Sequence, residues 1–242
     1  MNHVMKFLET QCEIFQADAK TKLLSHVWLP EEAPKAIFLA IHGGMAHAGD
    51  WVTPAQYFTG KGIAVYALDL RWHGTYLQYN DDVNMFHIDS YDTYTRDIEK
   101  YYAEIQKNHP DTPIFILGHS NGALIALHYG LTIGEEITAR HHADEASGLR
   151  SSKATVGLAA ALEKAQGFVT KHIAGWGRTP VIGFIAGKDE LADPGVSNQV
   201  LNSITAAPVT LHNYPENFHE NFNERNRDEI FATIADWIED KI

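Results

Sequence analysis

The stretch that decides the fold is Pro113-Ile114-Phe115-Ile116-Leu117-Gly118-His119-Ser120-Asn121-Gly122. Its apolar run predicts a buried strand, and residues 123–129 behind it predict a helix. A serine at the tip of such a strand–turn–helix, with a glycine on each side, is exposed at the strand end and can act as a nucleophile. The alternative is an ordinary turn in which Ser120 only caps the helix.

A reactive serine needs a base, usually a histidine that a carboxylate orients. In this arrangement the acid and then the base follow the serine along the chain. Val181–Ala186 predicts a buried parallel strand, and Asp189 lies just past its end. Val209–Tyr214 predicts the next strand and is followed by a polar loop that contains His219. We therefore predict Asp189 as the orienting acid and His219 as the base.

Three other residues compete for these roles. Asp193 is the first alternative acid, although its position suits capping of a helix predicted at residues 195–204. Asp69 also follows a predicted strand and is the second alternative. His212 falls inside a predicted strand, which favours a packing role.

Acyl transfer also needs donors for the oxyanion of the tetrahedral intermediate. One is the backbone N–H that follows the nucleophile, here that of Asn121. The other is expected from the loop after an earlier strand, where Gly44 lets a substrate approach the backbone closely. His42 begins this loop, and we expect it to brace the loop through hydrogen bonds.

These segments together resemble the α/β-hydrolase superfamily, and within it the branch of monoacylglycerol lipases, lysophospholipases and serine-aminopeptidase-like enzymes. The motifs that carry the resemblance are His42-Gly43 with His47 downstream, Asp69-Leu70-Arg71-Trp72-His73-Gly74, Gly118-His119-Ser120-Asn121-Gly122, Gly187-Lys188-Asp189-Glu190-Leu191-Ala192-Asp193 and Asn217-Phe218-His219-Glu220.

The resemblance implies a catalytic set of Ser120, Asp189 and His219, with the Gly44 and Asn121 amides as oxyanion donors. We expect His42, Met45 and His119 to contact the substrate. It implies a serine hydrolase that cleaves carboxylic esters of single-chain lipids, of the monoacylglycerol or lysophospholipid type. Two alternatives stay open: an amide or peptide hydrolase of the proline aminopeptidase type, and a catalytically impaired relative.

Composition fits this class. The 242 residues are enough for a single α/β domain over 1–242, with a mostly parallel central sheet flanked by helices. The net charge of −12 argues against nucleic acid as a partner, because phosphates would be repelled. We expect no signal peptide, no stable membrane insertion and a cytoplasmic location, to which the single cysteine is suited.

We expect no metal and no other cofactor. His141 and Glu145 are four residues apart, which would place them on one helical face, but the sequence suggests no third ligand nearby. A solvated helix face is the simpler interpretation.

The middle of the chain departs from the resemblance. After the nucleophile helix we expect a further strand and a lid, but residues 131–178 predict only helices, near 137–148 and 150–173. This predicts a reduced lid. The later strands would then either shift by one position or leave an empty position in the sheet. Residues 131–133 or a second copy of the chain would fill an empty position. We therefore expect a homo-oligomer through an open sheet edge.

Overall fold

The computed structural model describes residues 7–74, 88, 90–132 and 156–242. It divides into two compact units, residues 1–129 with 140–165, and residues 130–139 with 166–242. The single domain over 1–242 stays a prediction.

The first unit contains a five-stranded sheet. Its strands are β1 (Gln11–Gln16), β2 (Lys22–Trp28), β3 (Ala36–Ile41), β4 (Ile63–Leu68) and β5 (Ile114–Gly118). Their order is β1-β2-β4-β3-β5. β1 and β2 are antiparallel to their neighbours, whereas β3 is parallel to both β4 and β5. The sequence predicts strands at 12–16, 22–29, 37–41, 63–69 and 114–117, which match the observed bounds to within one residue.

Burial within this sheet is uneven. Every residue of β3 and β4 is buried, as expected for parallel strands that are covered on both faces. The residues of β5 are only half-buried, although their apolar sequence predicts a largely buried strand. The difference follows from position, because β5 is the last strand in the order of its sheet. Association of a sheet edge with a second copy stays a prediction.

Helices pack against this sheet. They are α1 (Val52–Thr59), α2 (Asp92–Asn108) and the first-unit parts of α3 (Asn121–Thr132) and α4 (Val156–His172), whose last residues belong to the second unit. Ile98, Tyr101 and Ile105 recur at helical spacing on α2 and join the hydrophobic core, together with Leu158 and Ala161 of α4.

A buried ionic network holds the loop after β4 in place. Nε of Arg71 donates to Asp97 of α2 at 2.6 Å, and Nη2 donates to Asp18 at 2.6 Å. Nη1 donates to the Thr21 hydroxyl at 3.0 Å. Arg71 thus joins three segments of the chain through one planar guanidinium group, which suits its fixed fork of donors.

The second unit contains a two-stranded parallel sheet. β6 (Val181–Ala186) pairs with β7 (Val209–Tyr214), in the bounds that the sequence predicts. Their residues are mostly half-buried or exposed, which again departs from the buried strands expected. The helices are α5 (Pro194–Asn202) and α6 (Arg227–Glu239). The sequence predicts a helix over 224–240 that packs on the sheet through Ile230, Ile234, Trp237 and Ile238. In α6 the three isoleucines are buried, whereas Trp237 is only half-buried.

The region expected to form a reduced lid is described only in part. Leu131 and Thr132 continue α3, so they do not form the additional strand considered above. The helix predicted near 137–148, with His141 and Glu145, lies outside the described residues. The helix predicted at 150–173 is confirmed from Val156 to His172. In the described part of the chain, no helix is both long and apolar enough to span a bilayer.

Candidate active site

The turn after β5 holds its serine in an unusual backbone conformation. Ser120 has φ +52°, in the left-handed region that costs a non-glycine residue about 1–3 kcal/mol. Neighbouring glycines permit this turn. A Cβ on Gly118 would lie 2.6 Å from the Gly122 carbonyl oxygen, and one on Gly122 would lie 2.0 Å from the Ile41 carbonyl oxygen. The sequence pattern therefore produces the sharp strand–turn–helix that it predicts.

Replacing Gly122 with alanine is expected to prevent stable folding. The new methyl group would overlap the backbone of β3, and backbone atoms cannot move aside as a side chain can by changing its rotamer. Thermal unfolding and circular dichroism measure the loss. Gly167, inside α4, is the control, because nothing lies within 4 Å of a Cβ built there. Gly167→Ala should raise stability by about 0.5–1 kcal/mol, and a well-folded Gly122→Ala would contradict the packing.

The side chain of Asn121 is anchored by a residue that the sequence reasoning missed. The Tyr91 hydroxyl donates a hydrogen bond to Oδ1 of Asn121, the first residue of α3. Burial raises the pKa of Tyr91, so its hydroxyl stays protonated and able to donate. The Asn121 backbone N–H lies in the first turn of α3, where an N–H has no acceptor within the helix. No sequence signal singled out Tyr91.

His42 fixes the loop after β3 through two hydrogen bonds. His42 is 2% exposed; its Nδ1 donates to the Gly43 carbonyl at 2.8 Å, and its Nε2 accepts from the Leu70 N–H at 3.0 Å. These contacts support the bracing role for His42. The same loop comes close to the nucleophile, since a Cβ on Gly43 would lie 3.2 Å from both Ser120 Cβ and His119 Nδ1.

Further along this loop, Met45 has φ +60° and is 55% exposed, so its apolar side chain faces solvent. Gly44, the predicted oxyanion donor, lies half-buried between Gly43 and Met45. Asp69 is buried and accepts a hydrogen bond from the Ala48 N–H at 2.8 Å. That contact gives Asp69 a structural task in this loop.

In the second unit, the predicted acid and base form a pair. Nδ1 of His219 lies 2.8 Å from Oδ2 and 2.9 Å from Oδ1 of Asp189. With Nδ1–H donating to the carboxylate, Nε2 is left as the acceptor that a general base needs. Oδ1 of Asp189 also accepts from the backbone N–H groups of Leu191 and Ala192, at 2.8 and 2.9 Å.

These contacts set the charge of the carboxylate. Burial by itself would raise the pKa of Asp189, but the hydrogen bonds from Ala192, His219 and Leu191 outweigh it and lower the pKa below its usual value. Asp189 is therefore ionised at neutral pH.

Asparagine side chains shape the loop that carries His219. Asn217 is buried, and its amide donates to Asn221 Oδ1 at 2.9 Å and to Asn226 Oδ1 at 3.0 Å. Asn221 in turn donates to the Phe184 carbonyl of β6 at 3.0 Å. The Phe218 N–H donates to Glu224 at 2.9 Å. These bonds fix the loop on both sides of His219.

Asp193 and His212, the alternative acid and base in this unit, make structural contacts instead. Asp193 is the N-cap of α5 and accepts from the Val196 N–H at 2.9 Å. His212 lies within β7 and stacks on Phe184, with ring centroids 5.2 Å apart.

The predicted site residues fall in two groups. Ser120, Asn121, Gly44, His42, Met45 and His119 belong to the first unit, and Asp189 and His219 belong to the second.

Comparison with known proteins defines the family. Residues 32–141 and 138–226 match the serine aminopeptidase S33 family, which is most of the chain. The chain belongs to this family. The match confirms the resemblance seen in the motifs, and it spans both groups of predicted residues.

Relatives in this family include lipases. The monoacylglycerol lipase of Mycolicibacterium smegmatis is 24% identical over an alignment of 264 positions, which covers 90% of this chain and 92% of that protein. The monoglyceride lipase of mouse is 31% identical over 105 residues, which cover 43% of this chain. That match spans 33% of the length of the mouse protein.

Solved structures share the fold. A soluble variant of monoglyceride lipase from Saccharomyces cerevisiae has a TM-score of 0.71 at 15% identity, covering 99% of this chain and all of that one. A thermostable carboxyl esterase from Bacillus coagulans has a TM-score of 0.72 at 16% identity, covering 95% and 97%. These similarities confirm the predicted α/β-hydrolase fold.

Proposed function

We propose that the chain is a serine hydrolase that cleaves carboxylic esters of single-chain lipids, of the monoacylglycerol or lysophospholipid type. The observation that carries the proposal is the strained turn at Ser120, because a left-handed serine between strand and helix has a structural cost that an ordinary turn does not need. The Asp189–His219 pair supplies the acid and base that such a serine requires. The monoacylglycerol lipase relatives support the substrate class.

In the proposed mechanism, His219 Nε2 takes the proton of the Ser120 hydroxyl while the serine oxygen attacks the ester carbonyl carbon. The backbone N–H groups of Gly44 and Asn121 stabilise the resulting oxyanion. The intermediate collapses with cleavage of the ester C–O bond, and the imidazolium of His219 gives its proton to the departing alcohol. The acyl group is then bonded to Ser120.

Water completes the cycle. His219 removes a proton from a water molecule, the resulting hydroxide attacks the acyl carbon, and the second tetrahedral intermediate releases the fatty acid. Ser120 regains its proton from His219. Throughout, the ionised Asp189 holds His219 in the tautomer that accepts at Nε2.

Exposed apolar side chains support a lipid substrate. Phe218, next to the base, is 56% exposed, and Leu191, whose N–H binds the acid, is 80% exposed. In the first unit, Met45 follows the proposed oxyanion donor and is likewise exposed. Each of these side chains is close in sequence to a residue assigned to the chemistry, and each offers apolar surface to an acyl chain.

The second candidate is an amide or peptide hydrolase, which the description of the family as a serine aminopeptidase favours. Esters and amides share the acyl-enzyme route but differ in the leaving group and in the recognition of a free amine. The third possibility, an impaired relative, predicts no turnover of either class.

A substrate panel separates these functions. We expect monoacylglycerols and p-nitrophenyl esters of fatty acids to be hydrolysed with kcat/KM of about 10⁴ M⁻¹s⁻¹ or more, within the usual enzymatic range. Aminoacyl p-nitroanilides, including the prolyl derivative, should show no turnover above background. Preference for the prolyl anilide would establish the second candidate, and inactivity toward the whole panel would establish the third.

A further inference from the structure

Three side chains of types that can bind a metal ion lie together at the start of the β1–β2 hairpin. A carboxylate oxygen of Glu9, Sγ of Cys12 and a ring nitrogen of His26 all lie within 4.8 Å of one another. Cys12 and His26 are directly opposite each other in the antiparallel pair, so their side chains project from the same face of the sheet. Glu9 approaches from the segment just before β1.

Two of these side chains are buried, and one polar atom of each has no hydrogen bond. The side chains of Glu9 and His26 are each 2% exposed. Glu9 Oε1 and His26 Nδ1 have no hydrogen bond among the described residues. The two atoms face each other at 3.5 Å, and a buried polar group without a partner costs free energy. Glu9 Oε1 and His26 Nδ1 can therefore both bind an ion placed between them.

The separation of these atoms suits a metal ion. Two ligands at zinc's usual N and O distances, at a tetrahedral angle, stand about 3.4 Å apart. The observed 3.5 Å is close to that value. A thiolate, an imidazole and a carboxylate form a donor set that suits Zn²⁺, whereas Mg²⁺ and Ca²⁺ prefer oxygen ligands alone.

We propose that Glu9, Cys12 and His26 bind one Zn²⁺ ion, with water as the fourth ligand. Cys12 is half-buried, which leaves a side of the cluster open to that water. On binding, the Cys12 thiol loses its proton to solvent and its sulfur bonds to the metal as a thiolate. The ion joins the segment before β1 to β2, and its role is structural.

Neighbouring groups orient the two buried ligands. The Phe7 backbone N–H donates a hydrogen bond to Oε2 of Glu9, which leaves Oε1 for the metal. The His26 ring packs between Phe7 and Trp28, at centroid distances of 5.7 and 6.0 Å. Such contacts outside the ligands fix their orientation and exclude solvent.

Cobalt substitution tests this site with high selectivity. Cys12 is the only cysteine in the chain, so a cobalt–thiolate charge-transfer band can arise only there. We expect one equivalent of Co²⁺ to produce this near-ultraviolet band in the purified full chain, and Zn²⁺ to remove it by competition. Zn²⁺ should also raise the melting temperature of the wild-type protein.

Variants then identify the ligands. Cys12→Ser should abolish the band and the zinc-dependent rise in melting temperature, and Glu9→Gln should weaken zinc binding at least tenfold. His47→Gln is the matched control, because His47 also packs against Phe7 and also faces a carboxylate, that of Asp50; it should bind like wild type.

Other outcomes would overturn the proposal. One is the absence of the cobalt band in folded wild-type protein, which would leave Glu9 and His26 as a simple ion pair. Another is a melting-temperature response to Zn²⁺ that persists in Cys12→Ser, which would place the metal elsewhere. Ester hydrolysis is measured separately, and its result does not decide this site.

Discussion

Replacing Ser120 with alanine is expected to lower kcat for p-nitrophenyl ester hydrolysis by about 10⁴–10⁶-fold, the range seen when a serine hydrolase loses its nucleophile. The reason is that no other group at the turn after β5 can form the acyl-enzyme. Alanine has the same Cβ as serine and meets the same backbone strain at φ +52°. The melting temperature should therefore change little, and the loss should lie in the chemistry alone.

Ser203 is the matched control for this variant. It is a serine in the second unit whose hydroxyl donates to the Gln199 carbonyl at 2.8 Å, at the end of α5. Ser203→Ala should keep wild-type kcat and KM. A Ser120→Ala protein that retains a tenth or more of wild-type turnover would show that another residue is the nucleophile.

Replacing Asp189 with asparagine is expected to lower kcat by about 10⁴-fold, as in other serine–histidine–aspartate sites. The introduced asparagine would still accept from the Leu191 and Ala192 N–H groups through its oxygen, and that contact would turn its NH₂ group toward His219. An NH₂ group there favours the tautomer with an unprotonated Nδ1. His219 would then carry its proton on Nε2 and could not accept one from Ser120.

Asp193→Asn provides the control, because Asp193 lies four residues further along and caps α5. Asparagine caps helices about as well as aspartate, so activity and stability should stay close to wild type. If Asp193→Asn lost activity and Asp189→Asn kept it, Asp193 would be the acid. Kinetics on both variants, with circular dichroism to check folding, decide between them.

The lowered pKa of Asp189 also fixes the sign of its effect on stability. A carboxyl whose pKa is lower in the folded state than in the unfolded state, where it is about 3.9, stabilises the fold fully above that value. This contribution is lost as the pH falls through the folded-state pKa. At neutral pH, before acid unfolding begins, the free energy of unfolding of Asp189→Asn should therefore be lower than that of the wild-type protein.

Much of the fold could be predicted from local sequence. Apolar runs bounded by turn residues predict β1 to β7, and helical spacing predicts helices at 91–108 and 224–240, where α2 and α6 form. Both signals are contained in a few neighbouring residues. The turn at Ser120 could be predicted for the same reason, since Gly118 and Gly122 are close to it in sequence. The pairing of Asp189 with His219 followed from the order of strands and loops.

The remaining features depend on contacts between segments that are distant in sequence. The bond between Tyr91 and Asn121 joins residues 30 positions apart and has no local signature. The Glu9–His26 contact depends on the register of β1 against β2. The half-buried state of β5 reflects its place in the sheet order, which its apolar sequence does not encode.

The central claim, that the Asp189–His219 pair activates Ser120, is tested most directly by labelling with a fluorophosphonate and locating the adduct by peptide mass spectrometry. The account predicts one adduct per chain, on Ser120, which is absent in Ser120→Ala and forms far more slowly in His219→Ala. A folded wild-type protein that takes up no label, or one that is labelled at the same rate without His219, would contradict it.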